Sequence, residues 1–218
     1  MALALFDLDR TLVRKDTAGL FVRYEYRHGL ISKARVARVA LWRLLYTAGV
    51  VDSERVARQV LSWYRGREEA ELRQVTGNWF ESDVAPLICE RGRHAIAEHR
   101  ARGDVIAVVT ASTQFVAERV AVALEIDHVV CTEVDSVGGR LTGELRGPLC
   151  FGRGKLTKVE QFVQSLSDPG IRVSGATAYT DSVTDLPLLQ AVGSPVAVNP
   201  DPRLRAHARE QGWPIQRW

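Results

Sequence analysis

Five apolar residues, Ala2-Leu3-Ala4-Leu5-Phe6, stop abruptly at Asp7. A continuous apolar run this short is the pattern of a strand buried on both faces, as in parallel sheets. Residues 104–109 (DVIAVV), 127–131 (DHVVC), 177–180 (TAYT) and 195–199 (PVAVN) are candidates for the same part. Helical periodicity fills the gaps, near 85–101, 114–124, 155–166, 184–191 and 202–211. Strand alternating with helix predicts an α/β fold, a parallel sheet with helices on both faces. Residues 134–145 depart from the rhythm: Gly138-Gly139 between two alternating stretches predicts a β-hairpin.

A second departure is larger. Residues 15–84 carry amphipathic helical pattern and no convincing strand, with breaks near Gly29, 49–52 and Gly66. Asp52 and Ser53 have the chemistry of helix-start residues. The reading is a helical insert of three to five helices (15–84) in a core made of 1–14 and 85–218. A chain of 218 residues suits one domain with such an insertion.

Composition narrows the function classes. Hydrophobic residues at 46% and charged residues at 25% exclude wholesale disorder. A net charge of +3 is too small to indicate a nucleic-acid partner. Cys89, Cys131 and Cys150 lie far apart and form no CxxC pair, which argues against a zinc module or a disulfide scaffold. A reducing compartment, the cytoplasm, is expected. Residues 2–6 are too short for a secretory signal. Arg38 and Arg43 interrupt the apolar stretch 36–46, and nothing approaches the roughly 20 residues of a spanning helix. No membrane insertion is expected.

Four short segments carry acid, hydroxyl or lysine where strands give way to helices. In Phe6-Asp7-Leu8-Asp9-Arg10-Thr11 the two acids alternate with Leu8, so both face the same way. Such a pair repels unless a cation or a shared proton offsets it; a solvated strand end is the plainer alternative. Thr110-Ala111-Ser112 follows a strand and offers hydroxyls and free N–H groups to an anion, although Ser112 or Thr113 would equally cap the next helix. Phe151-Gly152-Arg153-Gly154-Lys155 delivers a lysine to a helix start, against the helix dipole. Asp181-Ser182-Val183-Thr184-Asp185 spaces two acids four apart, with helix capping as the competing account.

In order and spacing, DxDxT, a strand ending in Thr, Gly-x-x-Lys and DSxxD together resemble the haloacid dehalogenase (HAD) superfamily, across essentially the whole chain. The position of the insert resembles the phosphoserine-phosphatase-like branch, whose helical cap lies between the first two motifs. The resemblance implies a Rossmann-like core and phosphomonoester hydrolysis. Asp7 would be the nucleophile and Asp9 the acid and base. Mg²⁺ would be held by Asp7, the carbonyl of Asp9, and Asp181. Thr110 and the N–H of Ala111 would bind phosphate, Lys155 would neutralise charge, and Asp185 would orient Lys155 or a metal-bound water. Lys158, one turn on, is expected to be solvated. An acid at position 9 separates this pattern from dehalogenases and from P-type ATPases, which carry Thr there.

Substrate clues are fewer. Asp16 stands where phosphoserine phosphatases bind the substrate amine, but it suits a helix N-cap as well. Arg10 replaces the small or polar residue common at its position, so its side chain can face substrate or cap. A small amino-acid or amino-alcohol phosphate, of the phosphoserine or histidinol phosphate kind, is the expected partner. Transfer to another alcohol, or ligand binding without catalysis on the same scaffold, are the other two readings. Trp213 and Trp218 are assigned to packing. The charge has a location too: 15–84 holds 12 Lys+Arg against 9 Asp+Glu, the whole excess of the chain. Such a field over the site would draw in a dianionic ester.

Overall fold

The computed structural model describes residues 2–47 and 53–218. Its centre is a six-stranded sheet of β1 (Leu3–Phe6), β2 (Val105–Thr113), β3 (His128–Thr132), β6 (Thr177–Thr180), β7 (Ser194–Val198) and β8 (Ile215–Gln216), ordered β3-β2-β1-β6-β7-β8. Every pairing in it is parallel. Side chains of β1 alternate between the two faces. Ala4 and Phe6 pack with Ile96 of α5 (Glu90–Ala101) and with Val116 and Val120 of α6 (Gln114–Ala123). Leu3 and Leu5 pack on the other side with Val159 of α7 (Arg153–Ser165), Leu189 of α8 (Leu186–Ala191) and Leu204 of α9 (Pro202–Glu210). Fully burying a side chain of this size contributes about 1.5–3 kcal/mol, which is why so short a strand holds the centre.

The expected strands and helices are present, with differences at their ends. The strand predicted at 104–109 runs on to Thr113, its register against β3 shifting between Val109 and Thr113. The helix expected from 85 starts at Glu90, because a π turn (Phe80–Val84) and a 3₁₀ turn (Ala85–Leu87) precede it and Ile88 is extended. β8 had no counterpart in the expectations; its two residues are too few for a periodic signal. Trp218 packs against Tyr179 and Phe6, with ring centroids 5.4 and 6.4 Å apart, and Trp213 joins the α7–α9 side.

Between β1 and β2 the described chain contains α1 (Thr17–Arg27), α2 (Lys33–Thr47), α3 (Ser53–Leu61) and α4 (Glu69–Trp79), and among the described residues no strand. The break at 49–52 and Asp52 lie outside them; α3 begins at Ser53, as expected. Tyr24, Trp79, Phe80 and Val84 join the core around Phe6 and Leu8. β4 (Val134–Val137) and β5 (Arg140–Leu145) form the hairpin. Gly138 and Gly139 both take positive φ, +58° and +76°, the requirement of a two-residue type I′ turn. The hairpin also docks on the chain ahead of α4: Gly66 N donates to Leu141 O (2.8 Å) and Leu141 N to Arg67 O (2.9 Å).

Candidate active site

In the order β3-β2-β1-β6-β7-β8 the strand sequence reverses direction between β1 and β6. Open α/β sheets bind ligands outside the carboxyl ends of strands at such a switch. Asp7 follows β1 directly and Asp181 follows β6, so both acids stand at this crevice. Asp7 N donates to Tyr179 O (2.9 Å), which fixes the first acid against the neighbouring strand. The chain then turns sharply. Arg10 takes φ +57°, the left-handed region that favours glycine, and its carbonyl accepts from Asn199 Nδ2 (2.9 Å).

Lys155 occupies the middle. Its buried ammonium donates to Asp7 Oδ1 and Asp185 Oδ2, both at 2.7 Å, and Thr180 Oγ1 donates to the same Asp185 oxygen at 2.5 Å. Two glycines allow this placement. Gly152, at φ +54°, precedes α7, and a Cβ on Gly154 would lie 2.3 Å from the Leu149 carbonyl oxygen. Burial works against the charge of Lys155, but Asp185 and Asp7 outweigh it and hold the ammonium above the usual lysine value.

The remaining acids are differently placed. Asp9 Oδ1 accepts from Thr17 N (2.7 Å) at the start of α1, and its Oδ2 from Ser112 Oγ (3.3 Å). Thr17 Oγ1 and Ser112 Oγ lie 3.0 Å apart, so Asp9 joins the β1 loop, the helical insert and the end of β2. Ser112 is therefore not the cap of α6, and Thr113, at the cap position, makes no side-chain capping bond. Thr110 is buried and its Oγ1 accepts from Ser112 N (3.1 Å), while Ala111 is exposed. Asp16 caps α1, accepting from Ala18 N (3.0 Å) and Gly19 N (3.3 Å). Arg10 Nη1 comes to 3.8 Å from Asp181 Oδ2. Lys158 corrects an expectation: it is buried, and its ammonium reaches Glu133 at 3.0 Å. The surface prediction failed because α7 lies against β3, so one turn beyond Lys155 still faces the core.

Crowded carboxylates shape the electrostatics. Burial pushes Asp7 well above its ordinary value; Lys155 pulls back, and Asp185, Asp181 and Asp9 add to the rise. Burial raises Asp9 too, against the bonds from Thr17 and Ser112. Asp181 is pushed up to about 7, again mainly by burial, with Arg10 opposing. A divalent cation would relieve this repulsion. The donors on hand, Asp7, Asp181 and the Asp9 carbonyl, are all oxygen, which suits Mg²⁺. Among the described residues no group of three His, Cys, Asp or Glu forms a closed cage. Mg²⁺ tolerates that, since it retains waters and shares substrate oxygens.

Thr180, Thr17 and Asn199 belong to this site and were not singled out from the sequence. A threonine just ahead of DSxxD was the only available signal, and strand threonines are too common to stand out.

Fold and crevice define a doubly wound α/β protein with acids on adjacent strands around a buried lysine. More particularly, the chain belongs to the haloacid dehalogenase-like hydrolases, whose family model matches residues 4–190. It is 32% identical over 220 residues to the phosphoserine phosphatase SerB1 of Mycobacterium tuberculosis, covering 99% of this chain and 70% of that one. It is 29% identical over 215 residues to a histidinol-phosphatase of Neisseria meningitidis, covering 98% and 97%. A crystal structure of a Bordetella pertussis Tohama I protein superposes with a TM-score of 0.89 at 31% identity, covering 99% and 97%.

Proposed function

We propose that the chain hydrolyses a small phosphomonoester with the aid of Mg²⁺, through an aspartyl-phosphate formed on Asp7. The observation that carries this is the bridge of buried Lys155 to Asp7 and Asp185 at the switch-point crevice. Lys155 holds Asp7 Oδ1, which leaves Oδ2 to attack phosphorus. As that bond forms, the bond from phosphorus to the ester oxygen breaks, and Asp9 gives its proton to the departing alcohol. The raised proton affinity of Asp9 suits an acid that must start protonated. Asp9 then takes a proton from water as the water attacks phosphorus and releases Asp7. Thr110 and the N–H of Ala111 receive the phosphate oxygens, and Lys155 neutralises charge that builds on them. Asp185 and Thr180 keep Lys155 aimed. Bound at Asp7, Asp181 and the Asp9 carbonyl, Mg²⁺ would supply charge neutralisation and polarise the phosphoryl group.

In this reading residues 15–84 act as a lid over the core of 1–14 and 85–218, and the substrate is an amino-acid or amino-alcohol phosphate. The phosphoserine and histidinol phosphatases among the relatives support that class. Asp16 serves as the N-cap of α1, and the scattered cysteines support a cytoplasmic setting. The test is direct. Purified protein with Mg²⁺ should release p-nitrophenol from p-nitrophenyl phosphate, and Asp7→Asn should lower kcat by about 10³-fold or more. Wild-type rates in Asp7→Asn would sink the assignment.

A further inference from the structure

The carboxyl end of β7 runs beside that of β6, where Thr180 pairs with Ala197, so the chain that leaves β7 emerges at the catalytic crevice. That chain, Asn199-Pro200-Asp201, grips both loops that carry the acids of the site. Asn199 Nδ2 donates to the Arg10 carbonyl in the loop after β1 (2.9 Å). Its Oδ1 accepts from Trp218 N (2.9 Å), and its backbone N donates to Gln216 O (2.9 Å). Asp201 N donates to the Asp181 carbonyl (2.8 Å), and Asp201 Oδ2 accepts from Val183 N (2.7 Å), both in the loop after β6. The other carboxylate oxygen caps α9, accepting from Arg203 N and Leu204 N, each at 2.8 Å. Each side chain thus has one end on the frame of the domain and the other on a catalytic loop.

These loops need holding. β1 ends at Phe6 and β6 at Thr180, so Arg10 and Asp181 lie beyond the strand ladders. Arg10 keeps φ +57° and Asn199 φ +44°, left-handed conformations that residues other than glycine hold where surrounding bonds fix them. Mg²⁺ demands near-ideal octahedral geometry, with its oxygens at about 2.0–2.1 Å. A site whose donors sit on two separate loops therefore binds it well only when both loops are held in advance. We propose that Asn199 and Asp201 are positioning residues: by fixing the loops that carry the Asp9 carbonyl and Asp181, they set the affinity of the site for Mg²⁺. The inference rests on the phosphatase reading and deepens it. Neither side chain is assigned to the cation or the substrate; each acts through the loop it holds.

Two isosteric changes cut one bond each. Asn199→Asp still accepts from Trp218 N but cannot donate to the Arg10 carbonyl. Asp201→Asn still caps α9 through its oxygen, and its amide nitrogen cannot accept from Val183 N. Mg²⁺ alone is titrated into the full chain by calorimetry, and turnover of p-nitrophenyl phosphate is followed at each Mg²⁺ concentration. Both variants should raise the Mg²⁺ Kd by about tenfold or more, the usual effect of removing a group that orients a metal ligand. Raising Mg²⁺ should restore kcat toward wild type, with KM for the ester at saturating Mg²⁺ little changed. Sign separates positioning from charge: a carboxylate added at 199 would by itself tighten cation binding, and one lost at 201 would weaken it. Wild-type affinity in either variant, tighter binding by Asn199→Asp, or a loss of turnover that Mg²⁺ does not restore overturns the inference and leaves the phosphatase reading intact. If either variant does not fold, Asn199→Gly keeps the positive φ, removes both side-chain bonds and should show the same rise in Kd. Wild-type protein that neither binds Mg²⁺ nor hydrolyses the ester overturns both.

Discussion

Lys155 is buried among acids, and this makes its charge an organiser of the site. Asp7 and Asp185 are held by one ammonium, so loss of either partner leaves a buried charge exposed to an unfavourable medium. A similar problem, away from the crevice, gives a clean stability test. Glu25 is buried in α1, accepts from Tyr64 Oη (2.9 Å), and lies 3.5 Å from Arg67. Burial raises its pKa above 4.5 despite those partners. Between the unfolded and the folded value the native state binds the proton more tightly, so stability falls as pH rises through that window. Glu25→Gln keeps an acceptor for Tyr64 and cannot ionise. Urea unfolding should show the variant gaining on the wild type as pH climbs from about 4.5 toward 7; a difference that is flat or of opposite sign would refute this. At this scale Asp7, Asp9, Asp181, Asp185 and Lys155 were legible because motif spacing placed them at strand and helix ends. The pairings of Thr180 and Ser112 were not, since they depend on which strands become neighbours.

Elements set the aim of these groups. α7 can begin where it does only because Gly154 has no side chain, with Leu149 O at 2.3 Å from any Cβ built there. Gly154→Ala must shift the first turn and carry Lys155 with it. A displacement on the order of 1 Å lowers rates by about 10- to 100-fold, and activity of Gly154→Ala on p-nitrophenyl phosphate should drop by that much. Kinetics beside a denaturation curve check it; an unchanged kcat would show that α7 tolerates the methyl group. The hairpin is the other element with reach. Arg140 pairs with Glu68 (2.8 Å) and Arg65 with Glu144 (2.5 Å), so the hairpin fastens to the helical insert as well as to its own strands. Its turn was readable from Gly138-Gly139, because both positions demand positive φ. Its docking was not, because Gly66 and Arg67 contribute backbone bonds that no side-chain pattern announces.

For the whole molecule, the informative quantity is where charge lies. The insert holds the chain's entire excess of +3, and Lys33 and Arg38 of α2 are exposed. Long-range attraction of a dianionic ester should then fall when these two are reversed. Lys33→Glu/Arg38→Glu should lower kcat/KM by about 2- to 5-fold at low salt and leave it near wild type at high salt. A loss indifferent to salt would point to altered packing instead. The central claim is chemical, however, and one measurement reaches it. With p-nitrophenyl phosphate the leaving group needs little protonation, so Asp9→Asn should still form the intermediate yet hydrolyse it slowly. Acid quenching followed by peptide mapping should then find phosphate bound covalently to Asp7. Phosphate on another residue, or turnover by Asp9→Asn with no covalent phosphate trapped, would contradict the account.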